Sequence, residues 1–476
     1  MTSYKHQEQT LDRYIKNSGK EPEFLTLKQA AKLLNKSVHN ISYLIAYKRI
    51  NKYDSLGRKK AKVGKGGIYV SKSELLQYWD NWQNQLKQRR ESLNIKNVEL
   101  AFYDLSEKER TKHIHRLHPY LGKFIPQLVE HYVVKNFKQS DIILDPFMGS
   151  GTTLAVSAEL NMRSIGIDVS EFNCTIARAK LENYDIIKVE KEITAIYNST
   201  KQFSDKINTN IEIPKKISSI TNHDYLNTWF APRSLAELLF YKDEIKNYDY
   251  QEILQIILTR AARSSRLVHH YDIATPKKPA TEPYVCRKHQ DKICTPIDRA
   301  IDKLKVYSFD TIERLKEFAD VRKNNDFLIL QGDSRTIDLQ KYIQKKWGKN
   351  TLVTGIFTSP PYVGQIDYHE QHRYAYELLD IARKDEHEIG AKISGKGKTA
   401  QENYKNGISA VFRNVSEAMD SKAKIFIVAN DKFNLYSDIV EKGGLKLVDV
   451  KERPVEARTE ADKSPYSEKI FECRLA

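Results

Sequence analysis

The sequence predicts an α/β protein built on an open, mostly parallel sheet, with a helical insertion and a separate N-terminal domain. Three observations carry this expectation. The run Ile142-Ile143-Leu144 passes through a glycine-rich turn into the apolar stretch Leu154 to Leu160, a strand-turn-helix unit. Other apolar runs, Ser164 to Ile167, Phe327 to Leu330 and Leu352 to Phe357, each end in a polar exit. The charge is also uneven: residues 1–100 hold 20 Lys or Arg and 9 Asp or Glu, so +11 of the net +16 lies in the first fifth of the chain.

At 476 residues the chain is long enough for two or three domains, each with its own core. No stretch approaches a membrane span, and the first 25 residues are polar, so a soluble cytoplasmic protein is expected. Cys174, Cys286, Cys294 and Cys473 are too scattered for a disulfide framework. Cys286, His289 and Cys294 are close in sequence but lack a fourth ligand, so they are read as ordinary thiols and no metal is expected. A strongly basic chain implies a polyanionic partner, because Lys and Arg release counterions from phosphate backbones.

Within the basic N-terminal segment, Thr26-Leu27-Lys28-Gln29 has the form of a capping box. Leu27, Ala30, Ala31, Leu33 and Leu34 make one helical stripe, Asn35-Lys36-Ser37 interrupts it, and Val38, Ile41, Leu44 and Ile45 resume it. The glycine-rich, basic stretch Gly57 to Gly67 then leads into Ile68-Tyr69-Val70, and Ser71-Lys72-Ser73-Glu74 starts a further helix. Residues 24–80 resemble the winged helix-turn-helix of the excisionase and MerR-like group, whose second helix enters the DNA major groove. The resemblance implies DNA contacts from Asn40 and Tyr43 on that helix and from Arg58, Lys59 and Lys60 on the wing. A small helical protein-interaction domain is the competing reading. The N-terminal domain is placed at residues 1–90 and a charged linker at 91–111.

The glycine turn reads Asp145-Pro146-Phe147-Met148-Gly149-Ser150-Gly151-Thr152-Thr153, a layout that brings backbone N–H groups close to a polar ligand. Asp168, at the end of the next strand and about 20 positions on, is suited to a ribose diol. Downstream, Ser359-Pro360-Pro361-Tyr362 follows an apolar strand. Two prolines fix two φ angles and leave their carbonyls without a ladder partner. Ser359 Oγ and the Pro360 carbonyl are acceptors suited to an exocyclic amino group, and Tyr362 offers a flat face to a base taken out of its stack.

The two motifs together resemble the amino-group DNA methyltransferases, which use S-adenosylmethionine to methylate cytosine N4 or adenine N6. The resemblance covers roughly residues 112–180 and 326–476, and implies a Rossmann-like S-adenosylmethionine-dependent methyltransferase sheet in a catalytic domain placed at 112–184 and 326–476. It further implies that Lys123 and Phe124 lie against the methionine end of the cofactor, that Asp145, Phe147, Gly149, Gly151 and Thr152 form its cradle, that Asp168 binds the ribose and that Asp333 accepts from the adenine amino group. Ser359, Pro360, Pro361 and Tyr362 would then be the catalytic group. None of the cysteines follows a proline, which separates the chain from the cytosine-C5 enzymes. Serine before the two prolines is commoner among N4-cytosine enzymes, so a site-specific N4 enzyme acting on double-stranded DNA is favoured, with adenine N6 as the alternative. A paired restriction endonuclease, an RNA or protein-amide methyltransferase, and an inactive DNA-binding regulator are the other readings.

Residues 185–325 exceed what the core fold needs and read as a largely helical insertion, a possible target-recognition region. Helices are expected over Trp229–Phe240 and Ile253–Leu267, the latter with Arg260, Arg263 and Arg266 on one face available to DNA or merely solvated. After Tyr362, the polar and aromatic run from Asp367 to Tyr374 is read as supporting hydrogen bonds around the site, and 384–406 as a mobile loop. Lys424–Val428 supplies a further strand, and Leu445–Val450 with Ile470–Leu475 an antiparallel pair.

Overall fold

The computed structural model describes residues 23–34, 38–46, 49–59, 67–92, 97–102, 105, 107–122, 124–207, 224–270, 272–273, 276–286, 289, 292–324, 326–455 and 466–476. It divides into two compact units, Met1–Asn94 with Arg287–Lys292, and Ile95–Cys286 with Ile293–Ala476.

The first unit opens with β1 (Phe24–Thr26), followed by α1 (Leu27–Leu33), α2 (Val38–Ala46), β2 (Tyr69–Ser71) and α3 (Lys72–Ser92). Thr26 and Gln29 form the capping box reciprocally, Gln29 N donating to Thr26 Oγ1 at 3.3 Å and Thr26 N to Gln29 Oε1 at 2.9 Å. β1 was not foreseen: at 3 residues it is too short to show a period, and its antiparallel pairing with β2 creates it. Tyr53 bridges both Lys59 and Tyr69, and the turn between is closed by Asp54, whose Oδ1 accepts from Leu56 N and Arg58 N. Leu25, Ala30, Ile41, Val70 and Leu75 form the core of this unit.

The second unit is organised by a seven-stranded sheet. Its strands are β3 (Ile142–Asp145), β4 (Arg163–Asp168), β7 (Phe327–Gln331), β8 (Val353–Thr358), β9 (Met419–Ala429), β10 (Leu445–Val455) and β11 (Tyr466–Leu475), in the order β10-β11-β9-β8-β3-β4-β7. The five strands from β9 to β7 run parallel, and β11 and β10 add on antiparallel. All four residues of β3 are buried, as expected of a parallel strand covered on both faces. The chain builds outward from β3 through β4 to β7, then returns to β8 on the other side of β3. That reversal makes the carboxyl ends of β3 and β8 a topological switch point, where open α/β sheets form their ligand crevice.

Helices α4 (Pro126–Asn136), α5 (Thr152–Glu159) and α6 (Glu171–Leu181) flank the sheet. Between β4 and β7 the chain forms α7 (Ile186–Ile207), α8 (Asp224–Trp229), α9 (Pro232–Glu244), α10 (Gln251–Ser265), the short strands β5 (Tyr284–Cys286) and β6 (Lys292–Cys294), and α11 (Ile301–Val321). The helix expected over Trp229–Phe240 is divided, because Pro232 starts a new helix at its first turn. Among the described residues, this stretch has no core of its own. Its Ile193, Leu238, Ile257 and Leu304 share one hydrophobic cluster with Leu154 of α5, Phe172 of α6 and Tyr374.

The arginine face of α10 is also corrected. Arg260 and Arg266 are buried; Arg260 pairs with Asp310 and donates to Thr311 on α11, and Arg266 donates to the Ile273 carbonyl and lies 4.8 Å from the Tyr374 ring centre. They brace the interior, so they are not a DNA-facing stripe. Residues 384–406, expected to be a loop, include the first turns of α12 (Lys398–Ser416). Among the described residues, no helix is long and apolar enough to cross a membrane.

Candidate active site

The exits of β3, β4, β7 and β8 converge on one pocket. Phe147, Gly149 and Thr152 line it from the glycine turn, Asp168 from the end of β4, Asp333 from the end of β7, and Ser359 and Pro361 from the end of β8. Phe124 and Asp145 complete the predicted set found there. Gly151, Pro360 and Tyr362 adjoin the pocket in the chain without lining it, and Lys123 lies outside the described residues.

The turn is held from two sides. Gly149 N donates to Asp168 Oδ2 at 2.9 Å, while Asp168 Oδ1 accepts from Ser170 N and from Asn173 Nδ2. Burial pushes the Asp168 carboxyl up to about 6, against the hydrogen bonds that favour its ionised form. Buried Lys180 of α6 donates to the Ser150 carbonyl within the turn. Gly149 and Gly151 have φ of 50° and 74°, and a Cβ on Gly151 would meet the Ala177 Cβ at 3.0 Å. The second glycine therefore permits both the left-handed backbone and the close approach of α5 to α6.

Asp145 does something the sequence did not reveal. Its carboxylate accepts from Thr153 Oγ1 at 2.8 Å, from Phe147 N at 3.2 Å and from Thr358 Oγ1 at 2.6 Å, the residue before Ser359. One buried side chain thus ties the glycine turn, α5 and the end of β8 together, and burial raises its carboxyl to about 6. A further link runs from Ser334 Oγ to the Pro146 carbonyl at 2.6 Å. Asp333 is paired with Arg335, whose guanidinium and backbone N–H outweigh the effect of burial and hold the carboxyl below its usual range.

At the proline pair, the Pro361 carbonyl accepts from Tyr404 OH at 2.8 Å. Tyr362 is half-buried and its hydroxyl donates to Glu468 Oε1 at 3.0 Å; Glu468 in turn forms a buried ion pair with Arg453. The ring is anchored at its edge, which limits how far it can turn. Among the described residues, neither the Ser359 hydroxyl nor the Pro360 carbonyl has a hydrogen-bond partner.

Several pocket residues were missed by sequence reasoning. Tyr120 and Tyr368 stack at 5.7 Å to form an aromatic wall, and Glu388, from the segment read as a loop, accepts from the backbone N–H groups of Tyr368 and His369 and pairs with the His369 ring. The density of aromatic and polar groups from Asp367 to Tyr374 was the available signal. His372 from this run is packed among the rings of His118, Tyr120 and Phe172, and burial lowers it to about 3, so it is neutral packing.

The pocket fits S-adenosylmethionine. Thr152 Oγ1, Asn173 Oδ1 and His369 Nε2 line it, are buried and have no partner among the described residues, which an apolar occupant would leave unsatisfied. Carboxylates at two strand exits and an aromatic wall supply the other recognition chemistry.

The family described as DNA methylase matches residues 23–179. The type II methyltransferase M.MjaII of Methanocaldococcus jannaschii is 42% identical over 94% of this chain and 97% of its own length. The type II methyltransferase M.MvaI of Kocuria varians is 22% identical over 78% of this chain and 77% of its own. With four strand exits, the glycine turn, Ser359 and Pro361 meeting in one pocket, the chain belongs to the type II DNA methyltransferases, and S-adenosylmethionine is its methyl donor.

Proposed function

We propose that the chain is a site-specific methyltransferase acting on the N4 amino group of a cytosine flipped out of double-stranded DNA. Ser359 lining the same pocket as Asp168 and the glycine turn, with its hydroxyl unengaged, is the observation that supports this most. The cofactor supplies an electrophilic methyl group on its sulfonium. An exocyclic amino nitrogen is a poor nucleophile because its lone pair is delocalised into the ring. Ser359 Oγ and the Pro360 carbonyl accept its two hydrogens, which favours a pyramidal nitrogen aimed at the methyl. Tyr362, braced by Glu468 and Arg453, stacks on the base. In this reading Asp168 takes the ribose hydroxyls, Asp333 the adenine amino group, and Asp145 keeps the two halves of the site in register.

The N-terminal unit is proposed to bind DNA as a winged helix-turn-helix. Two helices with a short break, and a turn presenting exposed Arg58 and Lys59, support that reading. Asn40 and Tyr43 belong to α2, while their side chains and Lys60 lie outside the described residues. The test is to methylate duplex DNA with the full chain, digest it and identify the nucleoside by mass spectrometry. N4-methyldeoxycytidine is expected; N6-methyldeoxyadenosine would overturn the cytosine assignment, and methylation of RNA or protein alone would overturn the DNA reading.

A further inference from the structure

The stretch between α10 and α11 poses a stability problem. β5 and β6 are 3 residues each and, among the described residues, pair only with each other. Their apolar side chains Val285 and Ile293 are 59% and 74% exposed, so the hairpin has almost no core of its own. A two-stranded hairpin of this kind is marginal in water without a staple.

The staple is suggested by four side chains from this one stretch, His270, Cys286, His289 and Cys294. Each offers a ligand atom, and these atoms all lie within 4.8 Å of one another. The sequence reading found three of them and stopped for want of a fourth. The fold supplies it from upstream, where His270 Nδ1 lies 3.6 Å from Cys286 Sγ. Around a tetrahedral zinc with ordinary bond lengths, neighbouring ligand atoms are about 3.3–3.8 Å apart, so only a small contraction is needed. Cys286 and Cys294 have not formed a disulfide.

We infer that these four residues hold a structural zinc ion. Two thiolates neutralise the dication, two neutral imidazoles complete a closed tetrahedral shell, and no position remains for a substrate or water. Cys286 is fully buried, where a neutral thiolate-zinc unit costs less than an isolated charge. The surroundings orient the first ligand: His270 N donates to Tyr284 OH at 3.0 Å, and the Tyr284 ring lies 6.0 Å from the His270 ring. The ion does not enter methyl transfer. It fixes a hairpin that apolar packing does not, and this inference stands apart from the base specificity proposed above.

The experiment is metal analysis of the full chain, purified without chelator or immobilised nickel. About one zinc per chain is expected, falling below about a tenth in the Cys286→Ser, Cys294→Ser double variant while S-adenosylmethionine binding is kept. His289→Cys, which preserves a four-ligand shell, should retain the metal that His289→Ala loses. Cobalt exchanged into the unmutated chain should give the intense visible bands of a tetrahedral thiolate site, and this decides the matter if the serine variant does not fold. Absence of zinc after purification and reconstitution, full retention in the double variant, recovery of Cys286 and Cys294 as a disulfide, or a weak octahedral cobalt spectrum would each overturn the inference.

Discussion

The Asp145 link can be tested by Thr358→Val, a change that keeps the side-chain shape and removes one hydroxyl. At neutral pH the lost bond is to a buried carboxylate, and such bonds contribute about 1.5–3 kcal/mol. Asp145 is 1% exposed and its folded carboxyl is raised to about 6. Its unfolded value is near the ordinary Asp value of about 3.9. The folded state therefore binds the proton more tightly, and stability falls as pH rises between those values, by about 3 kcal/mol in all. Removing the Thr358 donor disfavours the ionised form further and moves the folded value higher. The penalty of the variant should be about 1.5–3 kcal/mol at pH 8. At pH 5, where folded Asp145 is protonated, only a bond between neutral groups is lost, and the penalty should shrink to about 0.5–1.5 kcal/mol. Urea unfolding of both proteins at the two pH values measures this directly. An equal or larger penalty at pH 5 would show that Asp145 is not the group Thr358 serves.

Ser359→Ala and Tyr362→Ala should each bind S-adenosylmethionine as before, by calorimetry, while methyl transfer falls by about 10²–10³ for the lost acceptor; unchanged turnover would refute the site. Arg453→Met removes one member of a buried pair, leaving Glu468 charged and uncompensated, and should cost about 3–5 kcal/mol in denaturant unfolding. Because Glu468 also holds the Tyr362 hydroxyl, substituting both Arg453 and Glu468 with apolar residues should restore stability but not full activity. Deleting residues 1–90 should weaken DNA binding and flatten its dependence on salt, with cofactor affinity unaltered; equal DNA affinity with and without the segment would remove its proposed role.

What was legible from sequence shares a physical cause. In a parallel sheet every strand leaves its carboxyl end on the same edge, so a polar motif after an apolar run is located in space once the strand is recognised. Phe147, Asp168, Asp333 and Ser359 come from four strand exits far apart in the chain and line one pocket. Their local context was sufficient. The Tyr120–Tyr368 wall and Glu388 come from connections between elements, where position depends on packing that no short window encodes.

Two side-chain clusters show the same limit from opposite sides. Three-residue spacing placed Arg260, Arg263 and Arg266 along one helical stripe; the spacing cannot say that Asp310 and Thr311 of α11 would engage Arg260 or that the Ile273 carbonyl would hold Arg266. Periodicity reports which side chains point together and nothing about what lies opposite. For Cys286, His289 and Cys294 the absent information was likewise the opposing group, and His270, sixteen positions before the first cysteine, is supplied by the return of the chain after α10. A buried charge or a ligand set is complete only when its partner is counted, because an unpaired buried polar group is costly. Searching a sequence for charge faces and metal ligands therefore leaves both questions open, since a stripe of arginines does not reveal that it is braced from within and three candidate ligands do not reveal a fourth nearby, while motifs at strand exits escape the difficulty because the sheet itself brings their partners to the same edge.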